Sequence, residues 1–314
     1  MQSRRQFIKS SAVFSGAILA QPHLWAQMAP KRKFKISLQT GAIGVSASQM
    51  QVLDMASNFD FEAIAPYPDT LQDWSTEQKE SYVAKMTQGG LVWGSAGLPL
   101  EFRKDEKLFR EGLKALPKQA KALQSVGAKR MHTWIMPTQA ERTYRQNFAL
   151  HKYRLSEVAD ILDYYGIQLG LEYVGPKTLM ARDKYAFIRS MAELRELIFA
   201  IDAPNLGFVL DSFHWYCAEE SQADLLSLSP DEIVAVDLND ARINLGPDKQ
   251  IDNKRELPGA TAVIDIKRFL EALVLLGYEG PVRAEPFNQT LNDMADEAAL
   301  KATRQAIQKC IDLL

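Results

Sequence analysis

The chain has 314 residues, 46% hydrophobic and 24% charged, with a formal net charge of −2. That composition excludes disorder, a collagen-like repeat and a disulfide scaffold, and it leaves no broad basic surface for nucleic acid. The length suits one large α/β barrel as well as it suits two smaller domains.

The first segment reads as a leader. It opens Ser3-Arg4-Arg5-Gln6-Phe7-Ile8-Lys9, continues through a mild apolar stretch from Ser10 to Ala20, and reaches Leu24-Trp25-Ala26. A charged start, a short apolar run and a small residue at a cut site make a signal peptide. The paired arginines resemble a twin-arginine export signal. The apolar run is too short to span a bilayer, so no stable membrane span is expected once residues 1–26 are removed. Losing Arg4, Arg5 and Lys9 takes the basic residues from 37 to 34 against 39 acids, a net charge of −5. The export resemblance implies the twin-arginine translocase as a passing partner and the periplasm as destination, where phosphorylated sugars are scarce.

Residues 27–314 carry no low-complexity linker and are read as one domain. Apolar, β-rich runs predict strands near Phe34–Gln39, Phe61–Ala65, Leu91–Ser95, Lys129–Trp134, Ile167–Glu172, Leu206–Asp211, Ile233–Leu238 and Val282–Glu285. Helical spacing lies between them, over Lys107–Val126, Leu150–Tyr165, Tyr185–Ile201 and Ile266–Leu276. Pro117 is expected to kink or break the first of these. Gly127, Gly166 and Gly277 each follow a helical stretch, where a left-handed cap is wanted. Eight alternating βα units predict a single (β/α)₈ TIM barrel. The alternative, an open doubly wound sheet, would want a glycine-rich turn, and Gly41-Ala42-Ile43-Gly44 lacks the third glycine. There is no Walker loop, no GxSxG elbow and no HExxH. The polar stretch Arg242–Thr261 is expected over the barrel mouth as a lid or rim loop. Cys217 and Cys310 have no metal spacing and are read as buried thiols.

The last four strands each end in an acid: Glu172, Asp211, Asp237 and Glu285. Barrel active sites sit at C-terminal strand ends. Four neighbouring carboxylates there cannot all stay ionised without compensation. One divalent cation would resolve the repulsion, and an all-oxygen set favours Mn²⁺ or Mg²⁺ over Zn²⁺. The residues two back, on the same strand face, are Gly170, Val209, Ala235 and Arg283. Three of these suit an inward barrel layer, and Arg283 is the exception.

The segments Gly170-Leu171-Glu172, Asn205–His214, Asp237–Arg242 and Leu276–Glu285 resemble the sugar phosphate isomerase/epimerase superfamily, the xylose-isomerase-like barrels. The resemblance implies that Glu172, Asp211 and Glu285 bind one divalent metal. The family's fourth ligand is usually a histidine, and Asp237 stands in that place, which is a departure. His214 matches a family histidine that contacts the sugar. Arg242 is expected to hold a hydroxyl group beside it. His132 and Trp134 share a strand face and are candidates to line the pocket, while His151 is expected at the surface.

The expected chemistry is proton transfer next to a carbonyl. Glu172 and Glu285 stand on opposite sides of the substrate carbon, with a metal stabilising the developing charge. That gives a sugar isomerase or epimerase acting on an unphosphorylated sugar, keto-sugar or polyol. Two alternatives stay open: a lyase or hydrolase of an oxidised (3-keto) glycoside, and a non-catalytic periplasmic carbohydrate-binding barrel. A DNA-repair endonuclease of a related barrel family is disfavoured, because such sites use several histidines for multiple zinc ions. A homo-oligomer is left open.

Overall fold

Short apolar runs rich in Val, Ile, Leu and Phe form the strands because both faces of a barrel strand are covered. A computed structural model describes residues 31–314. The leader expected over residues 1–26 lies outside the described residues. The strands are β1 (Lys35–Leu38), β2 (Ala63–Ile64), β3 (Val92–Trp93), β4 (Ala96–Gly97), β5 (Arg130–Ile135), β6 (Thr138–Gln139), β7 (Gln168–Tyr173), β8 (Tyr185–Ala186), β9 (Leu206–Asp211), β10 (Ile233–Leu238) and β11 (Pro281–Ala284). The longer helices are α1 (Gln49–Asn58), α2 (Thr76–Gln88), α3 (Glu106–Ser125), α4 (Tyr144–Tyr164), α5 (Met191–Ile201), α6 (Ile266–Leu276) and α7 (Asp296–Ile311).

Nine strands make one parallel sheet in the order β3-β2-β1-β11-β10-β9-β7-β5-β4. Its two end strands, β3 and β4, are separated in sequence only by Gly94 and Ser95. The sheet therefore curls back on itself, with β3 and β4 as the two halves of one broken barrel strand. A Cβ on Gly94 would lie 2.5 Å from Ser37 Oγ, so the break needs a residue without a side chain. The single (β/α)₈ barrel read from the sequence is the fold.

Leu171, Leu210 and Val236 face outward and are buried with Leu155, Leu197 and Phe269 of the helices. Burying each such side chain contributes roughly 2 kcal/mol. A smaller cluster joins Ile36, Val52, Tyr82 and Ile307 on the β1–β2 side.

Several local readings change. α3 runs unbroken through Pro117, because burial of Phe109, Leu116, Ala120 and Leu123 offsets the lost backbone bond. α4 starts at Tyr144, earlier than expected, behind a Thr143–Gln146 capping box. α5 starts later, at Met191, capped by Ser190 and Glu193. The residues before it, Tyr185–Ala186, pair instead with β6 in a small antiparallel ribbon. His151 is not at the surface. It lies on the buried face of α4 with Asn147, Leu155 and Val158, where its Nδ1 meets the Asn147 carbonyl at 2.9 Å and its ring lies between Phe102 and Phe187. Cys217 and Cys310 are free and buried. No helix among the described residues is long and apolar enough to cross a membrane.

Candidate active site

In parallel strands, residues in register share a face. Asp237 on β10 is in register with Asp211 on β9 and with Arg283 on β11, so all three project into the barrel. Glu172 joins from β7 and Glu285 from just beyond β11. Glu172, Asp211, Asp237 and Glu285 each offer an oxygen within 4.8 Å of the others. Glu172, Asp211 and His214 form an overlapping trio by the same measure.

Each acid is held by the elements that carry it. Asp211 ends β9 and caps the short helix Ser212–Cys217, accepting from the Phe213 N–H at 2.6 Å. The Asn239 side chain, buried at the end of β10, donates to both Asp211 oxygens at 3.2 and 3.1 Å, and its own oxygen accepts the Glu285 N–H at 2.9 Å. One amide thus sets the spacing of two acids on different strands. His214 follows on the helix that Asp211 caps. Its Nδ1 faces the Gly175 N–H at 3.3 Å, and a side chain on Gly175 would meet the His214 carbonyl at 2.5 Å. Its Nε2 looks into the cluster, 3.9 Å from Glu172 and Asp211 and 3.8 Å from Asp252.

Two buried arginines sit among the acids. Arg255 enters from the rim segment and donates to Asp211 at 2.7 Å and to Asp252 at 2.8 Å, with Glu285 Oε2 at 3.5 Å. Arg283 grips both oxygens of Asp237 with its fork, Nη2 to Oδ2 at 2.9 Å and Nε to Oδ1. Its Nη1 also donates to Gln39 and to His132 Nε2, the latter at 3.0 Å. Because a guanidinium only donates, His132 accepts at Nε2 and carries its proton on Nδ1, against Ser95 Oγ at 2.9 Å.

The electrostatics follow from burial. Glu172 is pushed well above the usual carboxylate range by burial and then by the charges of Glu285, Asp237 and Asp211. Its Oε1 is buried with no hydrogen-bond partner among the described residues. Glu285 is raised to about 7 by burial and by Asp237, against the pull of Arg283 and Arg255. Burial lowers His214, and burial with Arg283 holds His132 well below its ordinary value.

The remaining expected residues are spread around the mouth. Trp134 is in register with Glu172 and half exposed, with the Arg103 guanidinium 4.1 Å from its ring centre. Arg242 is exposed on the rim, its backbone tied to the Gln250 amide. The arginine of that segment that enters the cluster is Arg255, which sequence reasoning missed together with Asn239 and Asp252. A single buried arginine in a polar loop has no periodicity to reveal it. Arg283 did leave a trace, as a charge at an inward strand position. A cavity of about 510 Å³ opens at the ends of β1, β2 and β4, lined by Gln39, Thr40, Tyr67, Asp69, Leu98 and Pro99; none of the four acids lines it, and Gln39, which meets Arg283, links it to the cluster. Another, of about 410 Å³, lies at the opposite end of the barrel around Lys35, Lys129 and Arg130, away from the acids.

Residues 53–310 match a family model described as a xylose isomerase-like TIM barrel. An inosose isomerase of Halalkalibacterium halodurans is 25% identical over 150 residues, 48% of this chain and 50% of that protein. The match therefore spans half the length of that relative. A solved xylose isomerase domain protein from Alicyclobacillus acidocaldarius is 32% identical, with a TM-score of 0.78 over 89% of this chain and 99% of its own. A solved IolI protein with a bound zinc atom is 18% identical, with a TM-score of 0.73 over 89% and 98% of the two chains.

Proposed function

The chain belongs to the xylose isomerase-like TIM barrel family, and from that premise we propose a divalent-metal-dependent sugar isomerase or epimerase. Its substrate would be an unphosphorylated sugar, keto-sugar or polyol, and its reaction proton transfer next to a carbonyl. The observation that carries this reading is the convergence of four strand-end acids within 4.8 Å of one another at the barrel mouth. The inosose isomerase relative, a protein named for a keto-polyol, adds support.

The donor set fits a cation. The buried, unpartnered Glu172 Oε1 is costly to leave unsatisfied, and it faces further carboxylates that repel it. Glu172, Asp211 and Glu285 would hold the ion, with Asp237 the fourth acid beside them. Oxygen ligands favour Mn²⁺ or Mg²⁺, while the zinc of the IolI protein makes Zn²⁺ the competitor to test. Once bound, the ion supplies Lewis acidity to a carbonyl and a neighbouring hydroxyl.

The protein's own groups do the rest. Glu285, raised to about 7 in the ion-free chain, can take a proton from carbon near neutrality. Glu172, ionised as a ligand once the ion is bound, would relay the returning proton from the other side. His214 and Arg255 orient hydroxyl oxygens, and Arg242 could reach them only from the rim. His132 and Trp134 line the β5 side, where the half-exposed indole offers an apolar face to a sugar ring. A twin-arginine leader over residues 1–26 would put this chemistry in the periplasm, among unphosphorylated carbohydrates. The test is incubation of the Mn²⁺- or Mg²⁺-loaded mature chain with inosose and a panel of keto-sugars. Isomerised or epimerised product, abolished by a chelator, is expected. Product formation unaffected by chelation would remove the metal, and no turnover across the panel would remove the reaction.

A second reading, elimination or hydrolysis of an oxidised glycoside, draws on the 510 Å³ cavity over β1, β2 and β4, which leaves room for a second ring. Release of a free aglycone would distinguish it.

A further inference from the structure

Asp237 is within reach of the other three acids; it differs from Glu172 and Glu285 in being fully held, and from Asp211 in that one guanidinium fork takes both of its oxygens, whereas Arg255 reaches only Asp211 Oδ2. It is fully buried, and both of its oxygens are taken by the Arg283 fork. Arg283 is itself 95% buried and spends its remaining Nη1 donors on Gln39 and His132. The pair is tied from four strands: β10 and β11 carry it, while the end of β1 and β5 supply the further acceptors. By contrast, among the described residues Glu172 has a buried oxygen with no partner, and Glu285 Oε2 is met by Arg255 at 3.5 Å.

We propose that Arg283 withholds Asp237 from the cation, so that Glu172, Asp211 and Glu285 alone hold it, and that Arg283 is a positioning residue of the metal centre. The proposal rests on the metal reading above. A bidentate guanidinium–carboxylate pair is geometrically matched and charge-assisted. A carboxylate so engaged would have to give up a buried partner to join a metal, leaving Arg283 as an uncompensated buried charge. The layer that Arg283 occupies, two residues before Glu285, is where barrel interiors carry apolar side chains. A charge there needs its counter-ion fixed in place, and Asp237, in register with it, is that counter-ion.

The consequence is chemical. With three carboxylates holding it, the ion would draw its further ligands from substrate oxygens and water. That would suit a substrate offering a carbonyl and an adjacent hydroxyl together. The centre would favour a 1,2-hydroxycarbonyl compound over an isolated ketone, for which one oxygen is lacking.

The experiment is calorimetric titration of the metal-stripped mature chain with Mn²⁺, and in parallel with Zn²⁺, supported by the spin-resonance signal of unbound Mn²⁺. Folding is checked by thermal melting. The wild type is expected to take one ion per chain. Glu172→Gln should weaken binding at least about tenfold, whereas Asp237→Asn should stay within about threefold. Arg283→Met, which releases Asp237, should tighten binding, a gain that a purely structural role for Arg283 would not produce. If the single variants fail to fold, the charge-balanced Asp237→Leu/Arg283→Met pair decides, and retained affinity supports the assignment. Asp237→Asn or the balanced pair weakening the ion as much as Glu172→Gln overturns it. A wild type that binds neither ion overturns the metal reading and this assignment with it.

Discussion

Glu285 carries most of the chemistry ascribed to the barrel mouth. Replacing it by Gln removes the proton acceptor and a ligand of the ion but keeps the shape, so turnover should fall by at least about 10²–10⁴ while the chain stays folded, as read by steady-state kinetics and thermal melting. The same carboxyl makes stability depend on pH. An unfolded glutamate titrates near about 4.3, whereas Glu285 titrates at about 7 in the fold. Between those values the native state binds the extra proton. Its stabilising contribution is therefore complete below the unfolded value and is lost as pH rises through 7. The metal-free chain should melt at progressively lower temperature from pH 5 to pH 8, and Mn²⁺ should restore it at the upper end. A flat profile would show that Glu285 ionises as freely as an exposed glutamate. The acids were legible in the sequence because strand ends in a barrel converge by geometry alone. Arg255, Asn239 and Asp252 were not, since their place depends on how the rim segment and the β10 turn fold back.

Among elements, the rim segment matters most to the site. Asp240, fully buried after β10, accepts the N–H groups of Ala241, Thr261, Ala262 and Ile264, so one carboxylate clasps both ends of the segment. Gln250 ties its middle to Arg242 and Leu245, and Thr178 bonds the Gln250 carbonyl at 2.7 Å. This frame delivers Arg255 and Asp252 to the acids. Asp240→Ala should cost about 3 kcal/mol by stranding buried donors, and protease should cut within residues 242–261. An unchanged melting curve and digestion pattern would argue against the clasp. Pro117 offers a test of opposite sign. α3 tolerates it without its backbone donor, so Pro117→Ala should stabilise the chain by roughly 1–3 kcal/mol in urea unfolding. The sequence made Pro117 look like a helix end because local propensity is visible there and tertiary burial is not. The β6–β8 ribbon was hidden for the same reason: each strand is two residues long and only pairing across the fold defines it.

Closure of the sheet through the Gly94–Ser95 break brings β7, β9, β10 and β11 side by side and their ends to one mouth. The βα alternation made this legible, since eight units of this length have few other ways to bury both strand faces. What the whole molecule acts on is tied to where it works. If residues 1–26 are a twin-arginine leader, changing Arg4 and Arg5 together to Lys should leave the precursor in the cytoplasm, detected by cell fractionation; unchanged export would remove that signal.

The most direct measurement is proton NMR of inosose or a responsive keto-sugar incubated with the Mg²⁺-loaded chain in deuterium oxide. The predicted result is deuterium entering the carbon next to the carbonyl during turnover by wild type, and no enzyme-dependent exchange with Glu285→Gln. Product formed without solvent deuterium at that carbon, or exchange undiminished in the variant, would contradict proton transfer by the carboxylates at this mouth.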